Sequence, residues 1–225
     1  MGSARHRMIA SGMAGYATDG LLLFLDGINN TGNGHDSTAT VWKDLSGNNQ
    51  DYDIGSNTFG SDHLICGSNG LKSNTSLPSD YKYIEMILEN SGTATATILL
   101  IPAGNAYVSF INHVNHLMAL NGSAGNYPRL DLSAVFTDKI QLSWPKEFNA
   151  QGVYNKAYLN GIEAVTTTAS PGTWSYTHLD YLFCYNRLTD NVFKGNVYAV
   201  RIYDHVLSDD ERIANWNMDR LRYNL

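Results

Sequence analysis

The 225-residue chain is predicted to be all-β, a sandwich or barrel of many short strands closed by a short C-terminal helix. Three observations predict it. Asn-Gly pairs recur at Asn33-Gly34, Asn69-Gly70, Asn121-Gly122 and Asn160-Gly161, and this dipeptide favours the positive φ angles of tight hairpin turns. Between them lie short runs rich in β-branched and aromatic residues, the types that suit a pleated, half-buried surface. Near the end, Ser208-Asp209-Asp210-Glu211 reads as a capping box, the start signal of a helix.

Taken in order, strands are expected near Gly20–Asp26, His63–Cys66, Tyr83–Glu89, Thr95–Ile101, Tyr107–Asn112, Leu117–Leu120, Lys139–Trp144, Tyr154–Leu159, Tyr181–Tyr185 and Gly195–Tyr203. The last run alternates most clearly. Tyr198, Val200 and Ile202 are expected on one face, and Val197, Ala199, Arg201 and Tyr203 on the other. In the helix, Arg220 and Arg222 complement the dipole at the C-terminal end, and Ile213, Trp216 and Leu221 offer an apolar stripe for docking.

Composition narrows the function classes. Hydrophobic residues make up 43% of the chain and charged residues 16%, enough apolar surface for one substantial core and too little charge for disorder. The net charge of −6 comes without a clustered Lys/Arg stripe, so nucleic acid is not an expected partner. The longest apolar stretches, such as Leu21 to Leu25 and Ile98 to Ile101, are too short to span a bilayer. Arg5 and Arg7 precede Met8-Ile9-Ala10, but Ser11, Gly12 and Gly15 interrupt that run too early for a signal peptide. Cys66 and Cys184 form no CxxC motif and are read as two buried thiols, with a disulfide between them left open.

Three blocks resemble the concanavalin A-like lectin/glucanase superfamily in its laminin G-like form. The first is Asp19-Gly20-Leu21-Leu22-Leu23-Phe24-Leu25-Asp26-Gly27, followed by Trp42-Lys43-Asp44-Leu45-Ser46-Gly47-Asn48. Ala157-Tyr158-Leu159-Asn160-Gly161 is similar to a hairpin of these domains. The run from Phe193 to Tyr203, with Leu207, Ser208 and Glu211, resembles the closing strand and its helix. The resemblance implies a two-sheet antiparallel jelly-roll sandwich over residues 19–225. It leaves residues 1–18 as an N-terminal arm or a cloning remnant. Because the superfamily holds lectins, glycan-binding modules, glucanases, adhesion domains and phage structural proteins, it does not choose a function.

The residues do so only in part. Laminarinase-type glucanases of this fold carry two Glu flanking an Asp, and Glu85-Met86-Ile87-Leu88-Glu89 is similar except that aliphatic Ile87 stands in the Asp position. The pair is therefore read as ordinary solvated strand residues. GxSxG, HExxH and GxxxxGK[ST] motifs are missing, and His113 and His116 would point to opposite faces of a strand. Asp26, Asp36, Asp44, Asn48, Asp51 and Asp53 are oxygen ligands of the type calcium prefers, but tight turns use the same residues. Calcium is thus a weak candidate, with no other metal or cofactor expected. Arg201 is read as paired with a buried carboxylate or carbonyl, and Trp42 and Trp216 as core. Trp144, Trp174, Tyr176 and Tyr127 lie at apparent strand ends or loops, where a ring with a wet edge either stacks on sugars or plugs an end of the sandwich.

The resulting expectation is a recognition or adhesion module that is not an enzyme, is carbohydrate-binding, and is displayed on a phage virion or cell surface. Its partners would be a surface glycan and neighbouring virion or surface proteins bound through the arm, with no membrane contact. A purely structural virion or surface-assembly protein is the alternative, and a glycoside hydrolase stands third.

Overall fold

The computed structural model describes residues 15–77, 81–90, 97–101, 106–111, 116–121, 129–132, 138–145, 156–164, 166–170, 179–183 and 192–225. In chain order the strands begin with β1 (Leu21–Asp26), β2 (Val41–Trp42), β3 (Tyr52–Asp53), β4 (Thr58–Phe59), β5 (Leu64–Cys66), β6 (Leu71–Leu77) and β7 (Tyr83–Asn90). There follow β8 (Thr97–Ile101), β9 (Ala106–Ile111), β10 (His116–Asn121), β11 (Arg129–Leu132) and β12 (Ile140–Pro145). The series ends with β13 (Tyr158–Leu159), β14 (Ile162–Glu163), β15 (Thr166–Ser170), β16 (Leu179–Leu182) and β17 (Gly195–Tyr203), before helix α1 (Asp209–Arg222).

These strands form two antiparallel sheets. The first runs β14-β13-β12-β7-β17-β5-β4, with β1 also paired to β17. The second runs β15-β11-β10-β9-β8-β16-β6-β3-β2. The all-β two-sheet sandwich with a C-terminal helix is therefore the observed fold. β17 organises the first sheet: β7 flanks one side along its length, while β5 and β1 share the other in succession. The β7–β17 register shifts between Val197 and Ala199. A bulge adds one residue to one strand and so reverses which face the following side chains take. This corrects the expected alternation. Val197 joins Val200 and Ile202 in the inter-sheet core, while Tyr198 shares the outer face with Ala199 and Tyr203.

The inter-sheet core gathers Leu23, Leu25, Trp42, Tyr52, Leu64, Ile84, Met86, Leu88, Leu142 and Trp144. Trp42 is fully buried, as expected, and its indole Nε1 donates to the Asp26 carbonyl at 3.1 Å. A second apolar layer covers the outer face of the first sheet. Phe24, Tyr83, Ile87, Ala199 and Tyr203 pack there beneath Tyr16, Leu207 and Tyr223. Tyr16 and Ala17 therefore belong to the domain rather than to a separate arm. The Tyr16 hydroxyl donates to Asp219 at 2.9 Å and the Ala17 N–H donates to Asn215 at 2.8 Å.

The helix starts where the capping box places it, with Ser208 accepting from the Glu211 N–H and Glu211 accepting from the Ser208 N–H. Its docking face differs from the expected one. Leu221 is 73% exposed and Ile213 45%, whereas Arg212, Asn215 and Asp219 are buried. That i, i+3, i+7 spacing is the correct helical stripe, but it is polar because the sheet below carries Glu85 and Arg201. Trp216 is half-buried instead of core and lies against the β13–β14 turn, where a Cβ on Gly161 would come within 2.5 Å of the indole. That turn has positive φ at both Asn160 and Gly161, as the sequence pair predicts.

The expected strand over Tyr154–Leu159 is observed only as β13, with residues 151–155 outside the described set. Cys66 is a buried free thiol, and Cys184 lies outside the described residues. Among the described residues, no helix is long and apolar enough to cross a membrane.

Candidate functional site

The two outer faces differ in access. The helix, Tyr16 and Tyr223 cover the first sheet, whereas the edge of the second sheet at β2, β3 and β6 opens to solvent. There Trp42, Tyr52 and Leu71 point into the core, so their neighbours point outward by the two-residue period of a strand. Cross-strand register places Val41 opposite Asp53 and Asp53 opposite Lys72. Two residues along, Lys43, Asp51 and Asn74 form a parallel row, with the Asn74 N–H donating to the Asp51 carbonyl at 2.9 Å. These residues and Ser73 line a cleft of about 470 Å³.

Its side chains are partly committed. The Lys43 ammonium donates to Asp51 at 2.5 Å, and the other Asp51 oxygen accepts from the Asp44 N–H at 3.0 Å. Asp53 accepts from the Gly55 N–H at 2.8 Å through one oxygen. Lys72 is exposed, and its ammonium makes no hydrogen bond or ion pair to the described residues. Asp51 and Asp53 were legible only as possible calcium ligands. Lys72, Ser73 and Asn74 were missed, although Leu71 followed by alternately polar residues is a weak strand signal.

Of the expected sugar-stacking residues, Trp144 is 1% exposed in the inter-sheet core and has no wet edge, a correction to its expected place. It sits mid-sheet between β7 and β13, where both flanks are covered. Tyr127, Trp174 and Tyr176 lie outside the described residues, as does His113.

The weak calcium candidates are each engaged in local hydrogen bonding. Asp26 accepts from the Ile28 N–H at 2.8 Å and the Tyr223 hydroxyl at 2.7 Å, and it also pairs with Arg222. Asp36 accepts from both the N–H and the hydroxyl of Thr38, which holds its carboxyl below the usual range. Asp44 accepts from the N–H groups of Phe24, Ser46 and Gln50. Among the described residues, no three His, Cys, Asp or Glu converge to hold a metal.

Glu85 and Glu89 also depart from expectation. Glu85 is fully buried, accepting from Arg201 Nε at 3.0 Å and from Asn215 at 2.6 Å. Arg201 reaches both Asp219 oxygens as well, one of them at 2.9 Å, and Gln141 donates to Asp219 at 2.6 Å. The expected pairing of Arg201 with a buried carboxylate is thus present, in duplicate. Glu89 is half-buried and accepts from Asn196 at 3.0 Å and Tyr198 at 2.7 Å. Ile87 between them is part of the apolar layer under the helix.

The architecture is that of a β-sandwich domain, and comparison with known proteins agrees. No protein-family model matches the chain, and no curated protein matches it. Solved structures do. A Trypanosoma rangeli sialidase in complex with sialic acid is 14% identical at a TM-score of 0.54, the match covering 91% of this chain and 33% of the sialidase. Domain 4 of AbnA, a GH43 extracellular arabinanase from Geobacillus stearothermophilus, in complex with arabinotriose, is 15% identical at a TM-score of 0.53. That match covers 85% of this chain and 96% of the other. An HCR/D mutant is 15% identical at a TM-score of 0.62, with 91% of this chain and 53% of that one covered.

At these identities the likeness establishes the two-sheet β-sandwich fold alone. The chain spans about a third of the sialidase it matches. The expectation that the chain is not an enzyme is overturned by this comparison, because the structures it superimposes on are those of a sialidase and of a domain of an arabinanase. The laminin G-like form, a phage origin and virion or adhesion roles draw no support from it.

Proposed function

We propose that the chain is a carbohydrate-binding β-sandwich domain that meets its glycan outside the cell or at a surface. The observation that carries this reading is the match to 96% of an arabinanase domain solved with arabinotriose. It is supported by the polar cleft of Lys43, Asp51, Asp53, Lys72, Ser73 and Asn74 on the open edge of the second sheet. Alternating donors and acceptors on paired strands and their immediate flanks suit sugar hydroxyls, because strands hold side chains at fixed spacing. Tyr127, Trp174 and Tyr176 remain proposed stacking residues, on the strength of their sequence context.

A glycan array probed with the purified chain tests the reading, followed by titration of the best hit against Asp53→Ala, Asn74→Ala, Trp174→Ala and Tyr176→Ala. Binding weakened about tenfold or more by the cleft or aromatic variants is the expected result. A chain that retains no glycan on a broad array does not have this function.

A further inference from the structure

We infer that the cleft selects neutral glycans over acidic ones, an inference that rests on the carbohydrate-binding reading and deepens it. Two lysines and two aspartates line the cleft, so its formal charge cancels. The cancellation is local as well as total. Lys43 is bridged to Asp51, each just beyond the end of its two-residue strand, and Lys72 stands in register directly opposite Asp53. Each ammonium therefore has a carboxylate beside it. A sugar carboxylate or sulfate approaching either lysine would meet an aspartate in the same row, and like charges at such range repel. The net charge of −6 on the chain adds a longer-range field that disfavours anions.

The same pattern suits a neutral polyol. An ammonium with one hydrogen bond made still has donors to offer, as Lys43 does, and Lys72 has none committed to the described residues. Asp53 keeps one carboxylate oxygen free of described partners, and the Asn74 amide supplies both a donor and an acceptor. A vicinal diol can donate one hydroxyl to Asp53 and accept at the other from Lys72. None of the lining residues is aromatic, so recognition in this cleft works through hydroxyl bonding rather than ring stacking.

An array printed with matched pairs tests this. Neutral arabinan-, galactan- and lactose-derived oligosaccharides are set beside the same chains bearing sialic or uronic acid. The expected result is binding of neutral members at least about tenfold stronger than their acidic counterparts, little changed by added salt, and lost on Asp53→Ala with Asn74→Ala. Preference for the acidic members, steeply salt-dependent and lost on Lys72→Ala, overturns the inference while leaving carbohydrate binding intact. Neutral binding that the paired cleft variants leave unchanged overturns this cleft as the site. Binding of neither class overturns the parent reading and this one together. Near-UV circular dichroism of each variant separates loss of binding from loss of fold.

Discussion

Glu85 and Glu89 stand four residues apart on one strand and face the same way, yet their surroundings drive their acidities in opposite directions. Burial raises Glu85 more than the neighbouring Arg201 charge lowers it. Hydrogen bonds from Asn196 and Tyr198 lower Glu89, outweighing the opposing effect of its partial burial. Such divergence is what an acid and base pair needs, but Glu85 is sealed beneath the helix, so here it describes a structural network. Linkage gives each a distinct signature. The folded pKa of Glu85 lies above its unfolded value, so its stability contribution is full at low pH and is lost as pH rises through the folded value. For Glu89 the contribution is present above the unfolded value and is lost as pH falls through the folded one. Relative to the parent protein, Glu85→Gln should therefore gain stability as pH rises, while Glu89→Gln should be at its greatest disadvantage near neutrality and recover in acid. Urea unfolding from about pH 3 to pH 8 reads both slopes, and slopes of the same sign would contradict the assignment.

The helix shows how a local signal and a tertiary one separate. Its start is written in Ser208 and Glu211, and Ser208→Ala should cost about 1 kcal/mol through loss of one acceptor for the first turn, read as a lower thermal midpoint. Its docking face was not legible, because the rule that apolar residues face inward fails where the sheet beneath already holds buried charges. Arg212, Asn215 and Asp219 look like solvent residues until Glu85 and Arg201 are placed under them. The long strands β7, β12 and β17 were readable from their aliphatic and aromatic residues, whereas β2, β3 and β4 have two residues each, too few to show a period. That brevity hid the cleft, whose polar side chains look like turn residues. The bulge at Val197–Ala199 is likewise invisible to strict alternation. The Asn160-Gly161 turn, by contrast, was legible and has a clear cost attached. Gly161→Ala would place a Cβ against Trp216 at φ +73°, and a left-handed alanine costs about 1–2 kcal/mol before any clash. A variant as stable as the parent in urea would show that the turn relaxes away from Trp216.

At the scale of the whole molecule, the C-terminal segment closes the outer face of the first sheet. Removing residues 205–225 would leave Arg201 without Asp219 and Glu85 without Asn215. It would also strip Arg222 and Tyr223 from the buried Asp26, and free Tyr16 and Ala17 from their partners on the helix. Breaking even one buried ion pair by removing a partner typically costs about 3–5 kcal/mol, against a total stability for a domain of roughly 5–15 kcal/mol. Several such losses fall together here, along with the apolar cover that Leu207 and Tyr223 provide. The truncated chain is therefore expected to lose its cooperative thermal transition and its near-UV circular dichroism, even if strand content survives in the far-UV signal. A truncated protein that melts cooperatively near the parent midpoint would show that the two sheets hold together without the helix. The polar network beneath it would then serve to orient the segment rather than to maintain the fold.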